Sequence, residues 1–265
     1  MQFCREDFEN LDNIGNGAFG TVYLVKLKEN GKVHALKEIS KEKVNYYNKV
    51  KAVFREESIM QMTNDCKFII KFQCTFQDSK NLYFLMDYAS NQSLATYIHP
   101  KNRIPEEMCK PIVAQIIMAL DYLHSRNISH RDLKPGNILF DEDFNVKLCD
   151  FGEAKIIENK LEVSNEKTLS KSENVDVFDQ IFEDDEMNFS MYESDSGEHP
   201  KYNEQASFVG TTLYMSPEML KNSVSGKFTD FWALGTIIYE ILEGKPIFSG
   251  KNEFLVWEQI KNLDY

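Results

Sequence analysis

The rhythm of hydrophobic positions changes near residue 90. Before it, VYLVKL, HALKEI, IIKFQCTF and LYFLMDY are short runs of β-branched and aromatic residues, the composition of strands. One stretch among them, VKAVFREESIMQM, has helical spacing instead. From Leu94 onward the helical period dominates. PEEMCKPIVAQIIMALDYLHSR is a long amphipathic run with Pro105 suited to a first helical position. TDFWALGTIIYEILEG is apolar nearly all round, which predicts a buried helix, and Gly244 and Pro246 end it. The pattern predicts an α+β chain of two lobes: a β-rich one over residues 8–90 with one helix, and a mostly helical one over 91–265.

One stretch fits neither rhythm. Residues 158–204 are rich in Glu, Asp, Asn and Ser, with weak periodicity. Compact domains seldom hold structureless loops longer than about 12–15 residues, so this stretch is expected to be a mostly disordered acidic insert. Its scattered apolar residues (Val175, Val177, Phe178, Ile181, Phe182) leave a short docking helix as the alternative.

The insert also explains the charge. The chain carries a formal net charge of −12, and residues 158–204 hold fourteen acidic against four basic side chains, or −10 of it. The remainder is near neutral, without the basic excess that general nucleic-acid binding requires. Five scattered cysteines without a CxxC pair argue against a metal site or disulfide framework. The first residues lack a basic and apolar leader pattern, and no apolar run reaches about eighteen residues, so a cytoplasmic location without a transmembrane segment is expected.

The chemistry concentrates in His130-Arg131-Asp132-Leu133-Lys134-Pro135-Gly136-Asn137 and Asp150-Phe151-Gly152. Asp132 suits a base for a hydroxyl proton and Lys134 offers a cation to a transferring phosphoryl group. Asn137 and Asp150 are oxygen donors that could hold magnesium. Upstream, the glycine-rich run Gly15, Asn16, Gly17, Ala18, Phe19, Gly20, Thr21 and Val22 lies between two strands, where backbone N–H groups can fold over phosphates. A dinucleotide-binding glycine motif would open a helix instead. Lys37, on the next strand in Ala35-Leu36-Lys37, could pair a nucleotide's α- and β-phosphates. Glu56 is its expected ion partner, sharing a helical stripe with Met60; Glu57 is the competitor, and only one of the two can face the site because neighbours on a helix point about 100° apart. A lone glycine run or strand lysine is weak evidence. The ordered set of loop, Lys, Glu, Asp, Asn and Asp is specific.

The ordered set, together with Ser207-Phe208-Val209-Gly210-Thr211 and Ser216-Pro217-Glu218, resembles the AGC group of protein kinases, and within it the 3-phosphoinositide-dependent branch. The resemblance runs from about Asp7 to Tyr265, interrupted by the acidic insert. It implies a bilobal kinase fold using ATP and Mg²⁺ to phosphorylate serine or threonine on proteins, namely the activation-loop threonine of other AGC kinases. Asp132, Lys134, Lys37 and Glu56 would be catalytic. Ile14, residues 15–22, Ala35, Lys37, Met86, Asp87, Ala89 and Leu139 would surround ATP, and Asn137 and Asp150 would hold metal. Ser207 would be an activation-loop phosphosite whose phosphate pairs with Arg131 and Arg55, and Thr211 would contact Asp132 and Lys134. Partners would dock their C-terminal hydrophobic motif in a pocket bordered by Lys41, Val44, Val53, Thr75, Gln77 and Leu82.

Three departures qualify what the resemblance implies. Gly136 and Ser93 stand where the family often has carboxylates near the sugar, so nucleotide affinity is expected to be lower. Glu57 replaces a base that helps bind a phosphorylated docking motif, so unphosphorylated motifs are expected to dock better. The chain stops soon after the helix that follows TDFWALG, so the large lobe reads as C-terminally truncated, with no partner for Glu218 and no lipid-binding domain to recruit it to membranes. The alternative to an active kinase is therefore a truncated kinase-like binding module with little turnover.

Overall fold

The computed structural model describes residues 3–17, 19–98, 104–157, 212–222 and 224–265. The acidic insert, with Ser207 and Thr211, lies outside the described residues.

Five antiparallel strands form the first lobe in the order β1-β2-β3-β5-β4: β1 Phe8–Asn16, β2 Gly20–Leu27, β3 Val33–Ser40, β4 Phe72–Gln77 and β5 Asn81–Asp87. The register sets Val22 opposite Lys37 and Ala35 opposite Met86. β1 breaks register twice, between Asn10 and Asp12 and between Asn13 and Gly15, and such bulges bend a strand and add twist. The alternation of β3 feeds two cores. Leu36 packs with Phe8, Val25, Leu27, Phe76, Tyr83 and Leu85 on one face, while Ala35 and Ile39 join the core that continues into the second lobe on the other.

Two helices, not one, cross this sheet. α1 Lys41–Tyr46 begins at Ser40, whose side chain accepts from the Lys43 N–H, and α2 Val50–Met62 follows it. KEKVNY is too short to show a helical period, so only its cap marks it. In IIKFQCTF the strand starts at Phe72; Ile69 and Ile70 instead reach the second lobe, where Ile69 bridges Leu148 and the Ile70 N–H donates to the Leu148 carbonyl at 2.8 Å.

The second lobe holds α3 Leu94–Tyr97, α4 Glu106–Ser125, α5 Pro217–Asn222, α6 Lys227–Glu243 and α7 Glu253–Asn262. Short strand pairs join β6 Ile128–Ser129 to β9 Lys155–Ile156 and β7 Ile138–Phe140 to β8 Val146–Leu148. Pro105 is the N-cap of α4 rather than its first residue: its extended ψ of 141° sets it outside the helix. Gly244 ends α6 in the left-handed conformation at φ 70°, which costs glycine no steric clash. α6 is not buried all round. Thr229, Asp230, Ala233, Leu234, Ile237 and Ile241 are buried, but Phe228, Phe231 and Leu242 are exposed among the described residues, because α6 presents one face to α4 and β6. No helix among the described residues is long and apolar enough to cross a membrane.

Candidate functional site

Three charged side chains meet where the lobes face each other. Lys37 Nζ lies 2.6 Å from Glu56 Oε1 and 3.3 Å from Asp150 Oδ1. Lys37 comes from β3, Glu56 from the buried stripe of α2 that also holds Met60, and Asp150 from the second lobe. Burial alone would lower the Lys37 pKa, but the two carboxylates outweigh it and hold the ammonium above its ordinary range. Lys37 in turn leads in holding Asp150 below the usual carboxylate range. Burial pushes Glu56 upward against the opposing pull of Lys37. Glu57 points elsewhere, its Oε1 accepting from Thr75 Oγ1 at 2.6 Å.

Across the cleft, Lys134 Nζ sits 2.8 Å from Asp132 Oδ2. Asn137 Nδ2 donates to the Asp132 carbonyl at 2.8 Å and to its Oδ2 at 3.1 Å. The proton acceptor, the cation and the amide thus interlock within six residues. The Asn137 Oδ1 makes no hydrogen bond among the described residues, and the Asp150 side chain is 45% exposed to the cleft. Both oxygens are therefore available to a hard cation. No cluster of three or more His, Cys, Asp or Glu suited to a metal occurs among the described residues. Mg²⁺ carried by nucleotide phosphates needs only one or two protein oxygens, so this donor pair fits it.

One residue holding this loop was not singled out from the sequence. Asp230 of α6 is fully buried, and its Oδ2 accepts from the His130 N–H at 2.9 Å and Ser129 Oγ at 3.0 Å, and meets His124 Nε2 at 2.7 Å. Its Oδ1 accepts from the Arg131 N–H at 2.8 Å. The only sequence signal is one acid in the apolar run after Phe228, and an Asp in a first helical turn has an ordinary reading. Arg131 and Asp150 both adopt φ above 60°, a conformation that costs non-glycine residues of order 1–3 kcal/mol and persists only where surroundings impose it. His130 helps impose it: its Nε2 lies 3.1 Å from the Cys149 carbonyl and its ring packs 5.1 Å from Phe151. Burial pushes the Cys149 thiol up, which keeps it protonated and a poor nucleophile.

The glycine-rich turn joins β1 to β2. Gly17 N–H donates to the Gly20 carbonyl at 2.8 Å, and Phe19 packs edge-on against Tyr47. A Cβ on Gly20 would lie 1.8 Å from the Glu38 carbonyl oxygen, so only glycine fits there. Gly15 and Asn16 pair with Val22 and Thr21, Ile14 is exposed on β1, and Ala18 lies outside the described residues. Val22 and Leu139 pack against the cluster that holds Ala35, Met86 and Ala89. Asp87 uses its N–H on the Lys71 carbonyl and its carboxylate on Gln73, whereas the backbone of Ala89 makes no hydrogen bond among the described residues.

The six residues of the expected docking pocket gather on the outer shoulder of the first lobe. Val44 and Val53 are buried there and Leu82 packs beside them. Lys41 Nζ donates to Gln77 Oε1 at 2.7 Å and the Asp78 carbonyl at 2.6 Å, and Thr75 is held by Glu57. Tyr46, Tyr47, Val50 and Phe54 are exposed around them.

The chain matches the protein kinase domain model over residues 8–173 and 193–263. It is 35% identical over 98% of its length to serine/threonine-protein kinase PKH2 of Candida albicans, covering 24% of that protein. The same identity and coverage hold for PKH1 of Saccharomyces cerevisiae and the human 3-phosphoinositide-dependent protein kinase 1, of which it covers 30% and 40%. The chain thus spans about a quarter to two fifths of the length of these relatives. It belongs to the protein kinase family and groups with AGC kinases.

Proposed function

We propose that this protein kinase domain transfers the γ-phosphate of ATP to serine or threonine hydroxyls of other proteins, the activation-loop threonine of further AGC kinases being the acceptor. The observation that carries the reading is the contact of Lys37 with both Glu56 and Asp150, which aims one cation at a cleft already lined by Asp132, Lys134 and Asn137. Val22, Ala35, Met86 and Leu139 would clasp adenine, with the hinge at Asp87 to Ala89 offering backbone groups to its edge. Residues 15–22 would fold over the phosphates. Mg²⁺, held by Asn137 and Asp150, would supply charge neutralisation to the phosphate oxygens. Asp132 would take the acceptor's proton, a role typically worth about 10²- to 10⁴-fold, and Lys134 would offset charge on the moving phosphoryl group.

The lobes of this reading span 8–90 and 91–265, with the insert at 158–204 between catalytic and substrate-binding segments. Ser207 would carry the activating phosphate. Partner kinases would dock on the α1–α2 shoulder, where the Glu57–Thr75 hydrogen bond sets a carboxylate at the place a phosphorylated motif would enter, supporting preference for unphosphorylated motifs. Five free thiols support a reducing, cytoplasmic setting. Transfer of radiolabelled phosphate from ATP to an activation-loop peptide tests the reading, with Lys37→Met as control. Incorporation by the wild type that the variant loses is the expected result, and equal signals would remove the mechanism.

A further inference from the structure

Both ends of the short helix α1 reach the same residue of the glycine-rich turn. At its start the Ser40 N–H donates to the Phe19 carbonyl at 3.0 Å, while the Ser40 side chain accepts from the Lys43 N–H and caps the helix. At its finish the Tyr47 ring meets the Phe19 ring edge-on, with centroids 5.8 Å apart, and Tyr46 backs Tyr47 in turn at 4.9 Å. Phe19 is the one large apolar side chain in residues 15–20. The glycines around it supply no side chain that could fix the turn.

The end of α1 fixes where Tyr47 sits. Asn48 follows it in the left-handed conformation at φ 52°, the Asn48 N–H donates to the Asn45 carbonyl at 3.1 Å, and the Lys49 N–H donates to the Val44 carbonyl at 2.8 Å. This pair of hydrogen bonds is a Schellman closure, which asparagine tolerates. Val44 is buried and roots α1 in the core, whereas Tyr47 is 56% exposed. Tyr47 therefore adds little to the core, and its ring spends its contact on the turn.

We infer that Tyr47 is a positioning residue for nucleotide binding: together with the Ser40 N–H it grips Phe19 by ring and by backbone, and so holds the glycine-rich turn in the arrangement that covers the phosphates. The inference rests on the ATP-binding reading above. An edge-on ring pair shifts the equilibrium it favours by a factor of about 2 to 12. When only a fraction of the molecules holds the binding-competent arrangement, the apparent Kd rises by the inverse of that fraction.

Calorimetric titration of the full chain with ATP in Mg²⁺ compares wild type, Tyr47→Ala and Tyr47→Phe, with thermal melting alongside. Tyr47→Ala is expected to raise Kd by a factor of about 2 to 12 at an unchanged melting temperature, and Tyr47→Phe, which keeps the ring, to retain the wild-type value. In a Phe19→Ala background Tyr47→Ala should change Kd no further, because the pair is already broken. Tyr47→Leu, which fills the space without an aromatic ring, takes the place of Tyr47→Ala should that variant unfold. A ringless variant whose Kd stays within about twofold of wild type, a Tyr47→Phe protein as weak as the ringless one, or effects at the two positions that simply multiply overturns the inference while leaving the kinase reading intact. A wild type that binds no ATP overturns both.

Discussion

The catalytic loop and the glycine-rich turn face the same cleft but are held by opposite means. Behind the loop, one buried carboxylate, Asp230, ties down His124, Ser129 and two consecutive backbone N–H groups. The turn is held by its strand ladders, the hydrogen bond across its tip, the Phe19 carbonyl accepting from the Ser40 N–H at 3.0 Å, side-chain bonds among Asn13, Asn16 and Thr21, and one edge-on ring contact, with no buried carboxylate behind it among the described residues. Groups that must meet a reacting atom within tenths of an ångström are braced from the interior, because misplacement by about 1 Å can cost about 100-fold in rate. Groups that only enclose phosphates can stay compliant, and compliance lets a nucleotide enter.

The braced half should fail sharply when its chemistry or its brace is removed. Asp132→Asn is expected to lower kcat by about 10²- to 10⁴-fold with melting temperature unchanged, as followed by peptide phosphorylation and thermal melting. Asp230→Ala takes the acceptor away from the His130 and Arg131 N–H groups and from the His124 ring, and is expected to cost about 3–5 kcal/mol of stability in urea titrations, with activity lost alongside. If Asp230→Ala melts like the wild type, the loop is not braced from α6.

The compliant half should depend on space more than on charge. Gly20→Ala drives a methyl into the Glu38 carbonyl and is expected to cost about 1–3 kcal/mol, with a higher KM for ATP. At Gly17 an added Cβ would stand 3.7 Å from its nearest neighbour, so Gly17→Ala should change stability by less than about 1 kcal/mol. Equal penalties at the two positions would contradict the packing of the turn.

The smallest effect concerns the charge that links the halves. Lys37 depresses the Asp150 pKa, so the stability this pair provides is fully present above the unfolded carboxylate value of about 3.9 and is lost as pH falls through the lower folded value. The stability difference between wild type and Asp150→Asn should therefore be flat above about pH 5 and shrink below about pH 4. A difference that grew on acidification would reverse the assignment.

Much of this was legible in the residues themselves. Strands β2, β3 and β5 announce themselves by β-branched and aromatic runs, and the 100° step of a helix tells Glu56 from Glu57 once Met60 marks the core face. Asp230 was not legible, since its role depends on donors about a hundred residues away that no local period encodes. α1 escaped because six residues cannot display a repeat, and the exposed face of α6 escaped because composition reports how apolar a helix is, not what packs on it.

The backbone stitch of Phe68, Ile69 and Ile70 to Leu148 sits just after α2 and just before Asp150. With the crossing at residues 88–93, where Asn91 and Gln92 pair with Phe140, it forms the seam about which one lobe would swing on the other. Glu56 and Asp150 ride on short arms beside that pivot, while the tip of the glycine-rich turn rides on a long one. A few degrees of rocking would therefore sweep the turn widely while scarcely parting the charges around Lys37, so the cleft can breathe without being disarmed.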